Sequence, residues 1–595
     1  MINERIKAVQ KLMKEYNIDI YYIPTSDYHD SEYVDDYFAC RKYLSGFSGS
    51  AGVMVITQGD ALLWADGRYY IQAANQIKGT IIKFMKWGDP NFPSPLEYIR
   101  MHYEPGNNIG FDGRVVSAAT GRYFESIVAD KNGKIIADYD LVDMIWSDRP
   151  TLPQQPIYQL DIKYSGLAYQ DKLKLVEQMM QKANCNAHLL TSLDDIAWFT
   201  NLRGNDIPCT PVFLSYMLID QNSVKLYLDK TKVNQSIMTY LSENKVELKD
   251  YEDIYQDIKA LNNLNILIDK ERVNYRLNIS LNESVKTING VNPTTILKAI
   301  KNETEIANIK AAHVKDGIAF TKFMYWIKNN IGKIDIDELS ADCYLSEQRS
   351  QQSGFVELSF NTIAAYQSNA AMMHYSASES QYSVIKPEGM LLVDSGGQYY
   401  EGTTDITRTM AMGPVSDKAK KDFTLVLKGF IALSEAKFLK GCTGLNLDIL
   451  ARNPLWQEGI DYKCGTGHGV GYMLGVHEGP HGIKWMKSNG RHEDTQLRPG
   501  MIVTDEPGIY LEGEYGIRTE NMLVVKPFAE NEWGTFYGFD YLTLAPIDLD
   551  LINKSLLNEQ EIAWLNNYHE DVYQKLSPAL NDDEKVWLRR YTRKI

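Results

Sequence analysis

Met390-Leu391-Leu392-Val393-Asp394-Ser395-Gly396-Gly397 drives four apolar residues into a carboxylate and then into small residues. A run this short, bounded by glycine, predicts a buried strand rather than a helix. Eleven residues after Asp394 comes Asp405, inside Thr403-Thr404-Asp405-Ile406-Thr407-Arg408-Thr409, where β-branched and polar residues alternate as in a strand. A hairpin turning near Tyr400 puts the two aspartates roughly opposite, with Cβ atoms about 5 Å apart. Carboxylates that close repel, so a proton or a cation belongs between them. Taken alone, the pair reads equally well as a turn Asp and a surface Asp.

Three more stretches tilt the balance. Cys464-Gly465-Thr466-Gly467-His468-Gly469-Val470-Gly471 sets a histidine among alternating glycines, which allow close backbone approach and leave few side chains to pack on the ring. Met501-Ile502-Val503-Thr504 is another apolar strand and delivers Asp505-Glu506 to a Pro507-Gly508 turn. Gly516-Ile517-Arg518-Thr519-Glu520-Asn521 leads into Met522-Leu523-Val524-Val525, so Glu520 sits where a core strand is expected. A buried Glu is costly unless it is paired or binds metal. The plainer alternative is a surface pair with Arg518.

Asp394, Asp405, His468, Glu506 and Glu520 form one candidate set. Four carboxylates offset the charge of two divalent cations, and oxygen-rich ligation with one nitrogen suits manganese, cobalt, iron or zinc. Two metals about 3.5–4 Å apart can share a bridging hydroxide, a nucleophile at neutral pH. Competing motifs fail. His477-Glu478-Gly479-Pro480-His481 matches H-E-x-x-H, but that zinc motif needs a helix to align its histidines. An internal proline costs about 3 kcal/mol or more there. Gly465 to Gly471 is not G-x-G-x-x-G, and Gly46-Phe47-Ser48-Gly49-Ser50 is not G-x-S-x-G.

The rest of the chain sets the frame. At 595 residues, three to four domains are expected. The formal net charge of −15 argues against a nucleic-acid partner, which needs a basic surface. No apolar run is long enough for a membrane span. Met1 to Ile6 does not read as a signal peptide, and the six cysteines include no C-x-x-C pair; both fit a reducing cytoplasm. Ile2, Ile6, Val9, Met13 and Tyr16 predict a helix, followed by strands Ile18 to Ile23, Ala51 to Thr57 and Ala61 to Trp64. After Pro156 a helix through Met180 and a strand through Leu190 repeat that plan. Thr191-Ser192 then echoes Thr25-Ser26, which hints at a duplicated domain. The expected division is residues 1–155 and 156–303 as related α/β domains, then 304–595 as an α+β catalytic domain with a C-terminal extension from about 547.

At these motifs the sequence resembles the pita-bread metallopeptidases. The ligand order Asp, Asp, His, Glu, Glu is similar to that of methionine aminopeptidase, prolidase and aminopeptidase P. The match is nearest to the three-domain cytosolic Xaa-Pro aminopeptidases, whose first two domains are creatinase N-terminal-like. Ser45-Gly46-Phe47-Ser48-Gly49-Ser50, Asp66-Gly67-Arg68-Tyr69, Ile196-Ala197-Trp198, Asn201-Leu202-Arg203-Gly204 and Trp564-Leu565-Asn566-Asn567-Tyr568-His569 carry the resemblance beyond the site. It implies the five ligands above, two divalent metals with manganese foremost, and Glu506 as acid and base. It implies catalytic and substrate-binding roles for His374 and His477, and a substrate-side role for Arg518. It also implies peptide substrates with proline second and a homodimer; His481 departs from the family pattern and is assigned no role. The alternatives are a prolidase restricted to dipeptides and a pita-bread binding protein without catalysis.

Overall fold

A computed structural model describes residues 1–487 and 495–595 of the chain. It divides into two compact units, Met1–Leu160 with Leu167–Thr295, and Asp161–Gly166 with Ile296–Ile595.

The first unit contains two six-stranded sheets. One runs in the order Ile82–Lys86, Ala61–Ala65, Val53–Thr57, Ile20–Pro24, Ile109–Gly110, Ile135–Ile136. The other runs Val246–Lys249, Val224–Tyr227, Tyr216–Asp220, Ala187–Leu190, Asn265–Ile268, Lys286–Asn289. Their pairing senses agree strand for strand: parallel, antiparallel, antiparallel, parallel, parallel. The duplication hinted by the two Thr-Ser pairs is therefore a duplication of topology, and each pair follows the fourth strand of its sheet.

Alternation explains the layering. In the first sheet Tyr21, Ile23, Met54, Ile56 and Leu63 pack with Ile6, Val9 and Met13 of the helix Ile2–Glu15. Ile20, Tyr22, Val53, Val55, Leu62 and Trp64 face the other way, toward Ile99 and Phe124 of the helices Pro95–His102 and Ala118–Val128. Both faces are covered, as mixed sheets with crossover helices require. The two halves meet reciprocally. The Ala118 N–H donates to Val273 O and the Tyr275 N–H to Val116 O, both at 2.8 Å, around a Ser117–Asn274 bridge.

The second unit opens with the helix Glu303–Asn330, capped by Asn302 in a capping box with Glu305. Such a cap contributes about 1 kcal/mol. Two sheets follow. Ile363–Tyr366, Met390–Ser395 and Ile406–Ala411 form one; Lys437–Leu439, Gly534–Tyr541, Asn521–Asn531 and Ile502–Asp505 form the other. The core between sheets and helices includes Phe320, Leu391, Val393, Met410, Phe423 and Phe430. The helix Glu559–Leu576 of the C-terminal extension contributes Leu565, Tyr568, Val572 and Leu576 to the same core, so the extension is structurally part of this unit.

Candidate metal centre

Asp394 lies near the end of Met390–Ser395, which pairs antiparallel with Ile406–Ala411. Gln398 pairs with Thr403 and Tyr399 with Gly402, so the hairpin turns at Tyr400-Glu401, as the sequence predicts. The register differs from the expectation in detail. Asp394 faces Thr407, not Asp405. A two-residue turn at this position leaves Asp405 two residues short of direct opposition, which makes it a diagonal neighbour of Asp394.

His468 ends the short strand Gly467–His468, paired to Gly482–Ile483. Its glycine frame has a steric cause. A Cβ on Gly467 stands 1.9 Å from Thr504 O, and one on Gly469 stands 2.1 Å from Glu478 O, so neither position admits a side chain. The ring Nδ1 is 2.9 Å from Gly469 O. Donation to that carbonyl places the lone pair on Nε2, the tautomer a metal ligand needs. Nε2 lies 3.4 Å from Asp405 Oδ2 and 3.6 Å from Glu506 Oε1. Glu506 follows Ile502–Asp505 and its N–H donates to Thr466 O at 2.8 Å. Glu520 sits in the break between Tyr515–Arg518 and Asn521–Asn531, wholly buried. One ligand atom each from Asp405, His468 and Glu520 lie within 4.8 Å of one another.

The electrostatics of this group are those of a cation site. Burial, then the charges of Asp405, Asp394 and Glu506, push the Glu520 carboxyl well above its ordinary range. Burial likewise raises Asp394 to about 6; Arg518 opposes the rise, while Asp405 and Glu506 add to it. Burial depresses His468, but hydrogen bonding to Asp405 and the charges of Glu506 and Asp405 outweigh it and lift the ring to about 9. Asp394 Oδ1 is buried without a hydrogen-bond partner. Facing carboxylates with an orphaned oxygen and one imidazole nitrogen fit divalent metal ions of the oxygen-preferring kind.

Of the remaining predicted residues, His477 and Arg518 contact this group. The His477 ring stands edge-on to His468 at 4.3 Å between centroids. His374 is half-buried in the turn after Gln367–Ala371. Arg518 is buried and turned toward the ligands. It donates to Asp394 Oδ2, to Tyr510 Oη at 2.7 Å and to Thr407 Oγ1 at 3.1 Å. His477 to His481 is not helical, Glu478 is ion-paired with Lys301, and His481 Nε2 lies 2.7 Å from Ile502 O in the core. The H-E-x-x-H match is thus coincidental.

Residues 5–142 and 148–305 each match the Creatinase/Prolidase N-terminal domain. Residues 307–527 match metallopeptidase family M24, and 535–595 match its C-terminal region. The probable Xaa-Pro aminopeptidase P of Paracoccidioides brasiliensis (strain Pb03) is 37% identical over 618 residues, covering 100% of this chain and 99% of the relative. The chain belongs to the Xaa-Pro aminopeptidase P family. It is a metallopeptidase, and so a hydrolase. A probable Xaa-Pro aminopeptidase P from Botryotinia fuckeliana (strain B05.10) is 38% identical, over 99% of this chain and 92% of the relative. The crystal structure of X-prolyl aminopeptidase from Caenorhabditis elegans, described as a cytosolic enzyme with a di-nuclear active site, superposes with a TM-score of 0.94. It is 32% identical and covers 100% of both chains. Among the described residues no helix is long and apolar enough to cross a membrane.

Two residues that hold Glu520 in this metallopeptidase escaped the sequence reading. Thr407 Oγ1 donates to Glu520 Oε2 at 2.6 Å. Arg408, fully buried, donates to Glu520 O at 2.6 Å, to Asn521 Oδ1 at 2.8 Å and to Tyr568 Oη at 2.8 Å, which ties the Glu520 segment to the helix Glu559–Leu576. Their one signal was adjacency to Asp405 in an alternating strand, and that does not distinguish them from ordinary strand residues.

Proposed function

We propose that the protein removes the first residue of peptides whose second residue is proline, working in the cytosol with two divalent metal ions, manganese foremost. Asp394, Asp405, His468, Glu506 and Glu520 are the proposed ligands. The observation that carries the reading is the convergence of Asp405, His468 and Glu520 ligand atoms within 4.8 Å, with Glu506 beside His468. The named relatives and the di-nuclear active site described for the Caenorhabditis elegans enzyme support it.

Two divalent ions held by Asp394, Asp405, His468, Glu506 and Glu520 would supply Lewis-acid chemistry and activate water as a nucleophile at neutral pH. The chain's own groups do the rest. Glu506, whose side chain at 21% exposure is the most open of the four carboxylates, accepts the proton of the attacking water and returns it to the prolyl nitrogen. His477 and His374 donate hydrogen bonds to the oxygen on which charge develops. Arg518 holds Asp394 in place and keeps its proposed place on the substrate side of the site. Proline brings no N–H, so a site that offers no acceptor at that position admits it.

Hydrolysis of Xaa-Pro dipeptides against Xaa-Pro-Xaa peptides tests the reading. Cleavage of the longer peptides is expected; activity confined to dipeptides identifies a prolidase instead. A metal-free protein that binds partners without hydrolysis contradicts both.

A further inference from the structure

We propose that Glu338 is a positioning residue for catalysis: it locks the segment that carries His374 without touching substrate or metal. The proposal rests on the reading that His374 takes part in catalysis.

Glu338 opens the helix Glu338–Ser350 and is wholly buried. Its Oε1 accepts from the Tyr366 N–H at 2.7 Å and Asn369 Nδ2 at 2.9 Å. Its Oε2 accepts from the Tyr375 hydroxyl at 2.8 Å, the Ser383 N–H at 2.7 Å and Asn369 Nδ2 at 3.2 Å. None of these donors is a cation. Burying a carboxyl group among neutral donors is costly unless every lone pair is used, and here the geometry uses them. Helix capping does not account for it, because Asp337 already caps this helix by accepting from the Ser340 N–H at 2.7 Å.

The four donors come from Tyr366, Asn369, Tyr375 and Ser383, and His374 lies between them. The neighbouring Tyr375 ring packs with Ile363, Ala365, Ala370 and Leu392. Ile363 pairs directly with the ligand Asp394. Ahead of His374, the short helix Gln367–Ala371 rests on the strand of Arg518: a Cβ on Gly516 stands 1.9 Å from Ala370 O. Packing does not hold the segment on every side. A polar cavity of about 210 Å³ borders it, lined in part by Glu338, Asp342, Thr362 and Ser376. The Glu338 hydrogen bonds therefore set where the segment rests between the cavity and Asp394.

The test compares wild type, Glu338→Gln, Tyr375→Phe and His374→Ala as metal-loaded full-length enzymes. The glutamine is isosteric but turns one acceptor into a donor that faces other donors. Glu338→Gln is expected to lower kcat by up to about 100-fold, the scale of a misplaced catalytic group, with KM and metal content unchanged. Amide exchange is expected to quicken across 367–383 but not across 390–395. Tyr375→Phe moves the same readouts by less, and keeps the test open if Glu338→Gln does not fold. Adding Glu338→Gln to His374→Ala is expected to cost little more. Unchanged exchange across 367–383, or loss of metal in step with activity, overturns the proposal. A fully active His374→Ala enzyme contradicts the reading of His374 itself, which the exchange data distinguish from failed anchoring.

Discussion

Buried charges in this protein come in two arrangements. Asp316 is matched by Arg349, with contacts at 2.8 and 3.1 Å, and Asp206 by Lys232 at 2.5 Å. Each of those carboxylates has a cation of its own. Around His468, by contrast, Asp394, Asp405, Glu506 and Glu520 crowd together, and the Arg518 guanidinium that donates to Asp394 and the His468 ring beside Asp405 and Glu506 do not match four carboxylates one for one. Burial is common to both arrangements, so burial does not mark the functional site. The mark is the surplus of negative charge, which added cations make good.

The sharpest way to break this comparison is to remove a carboxylate from the crowded group. Glu520→Gln should reduce bound metal and bring Xaa-Pro hydrolysis to background. In the metal-free protein the same change should leave urea stability unchanged or raise it, since a repelling neighbour is gone. The paired arrangement predicts the opposite. Arg349→Met leaves Asp316 uncompensated and should cost about 3–5 kcal/mol in urea unfolding. Equal stability losses in the two variants erase the distinction.

Smaller effects refine it. Arg518→Lys keeps the charge but cannot serve Asp394, Tyr510 and Thr407 at once. Competition with a chelator should show metal affinity weaker by about 10–100-fold. The smallest effect concerns buried groups that stay neutral. Burial depresses His29 to about 3 and His188 to about 4. Below the unfolded-state pKa of about 6.5 the unfolded chain binds protons that the folded chain refuses, so stability falls as pH drops toward those values. Between pH 7.5 and 5.5 the loss is about 1.4 kcal/mol for each such histidine. His188→Gln should flatten the unfolding profile by that amount.

Much of this was legible in the sequence because it is local. Short apolar runs and alternating residues predicted the strands. Pro480 was enough to reject a helical zinc motif. Glycines around His468 signalled close backbone approach, which the Gly467 and Gly469 contacts explain. The hairpin register was not legible, because a shift of two residues preserves the alternation and only the turn decides it. Nor were Thr407, Arg408 and Glu338. Their partners lie 113, 112 and 28–45 residues away, and nothing local distinguishes a Thr or Glu that organises a site from one that does not.

Elemental analysis of the purified protein, run beside hydrolysis of an Xaa-Pro-Xaa peptide, tests the central claim most directly. Two divalent ions per chain, with activity that disappears on chelation and returns with manganese, is the predicted result. Full hydrolysis by protein that holds no divalent metal contradicts it.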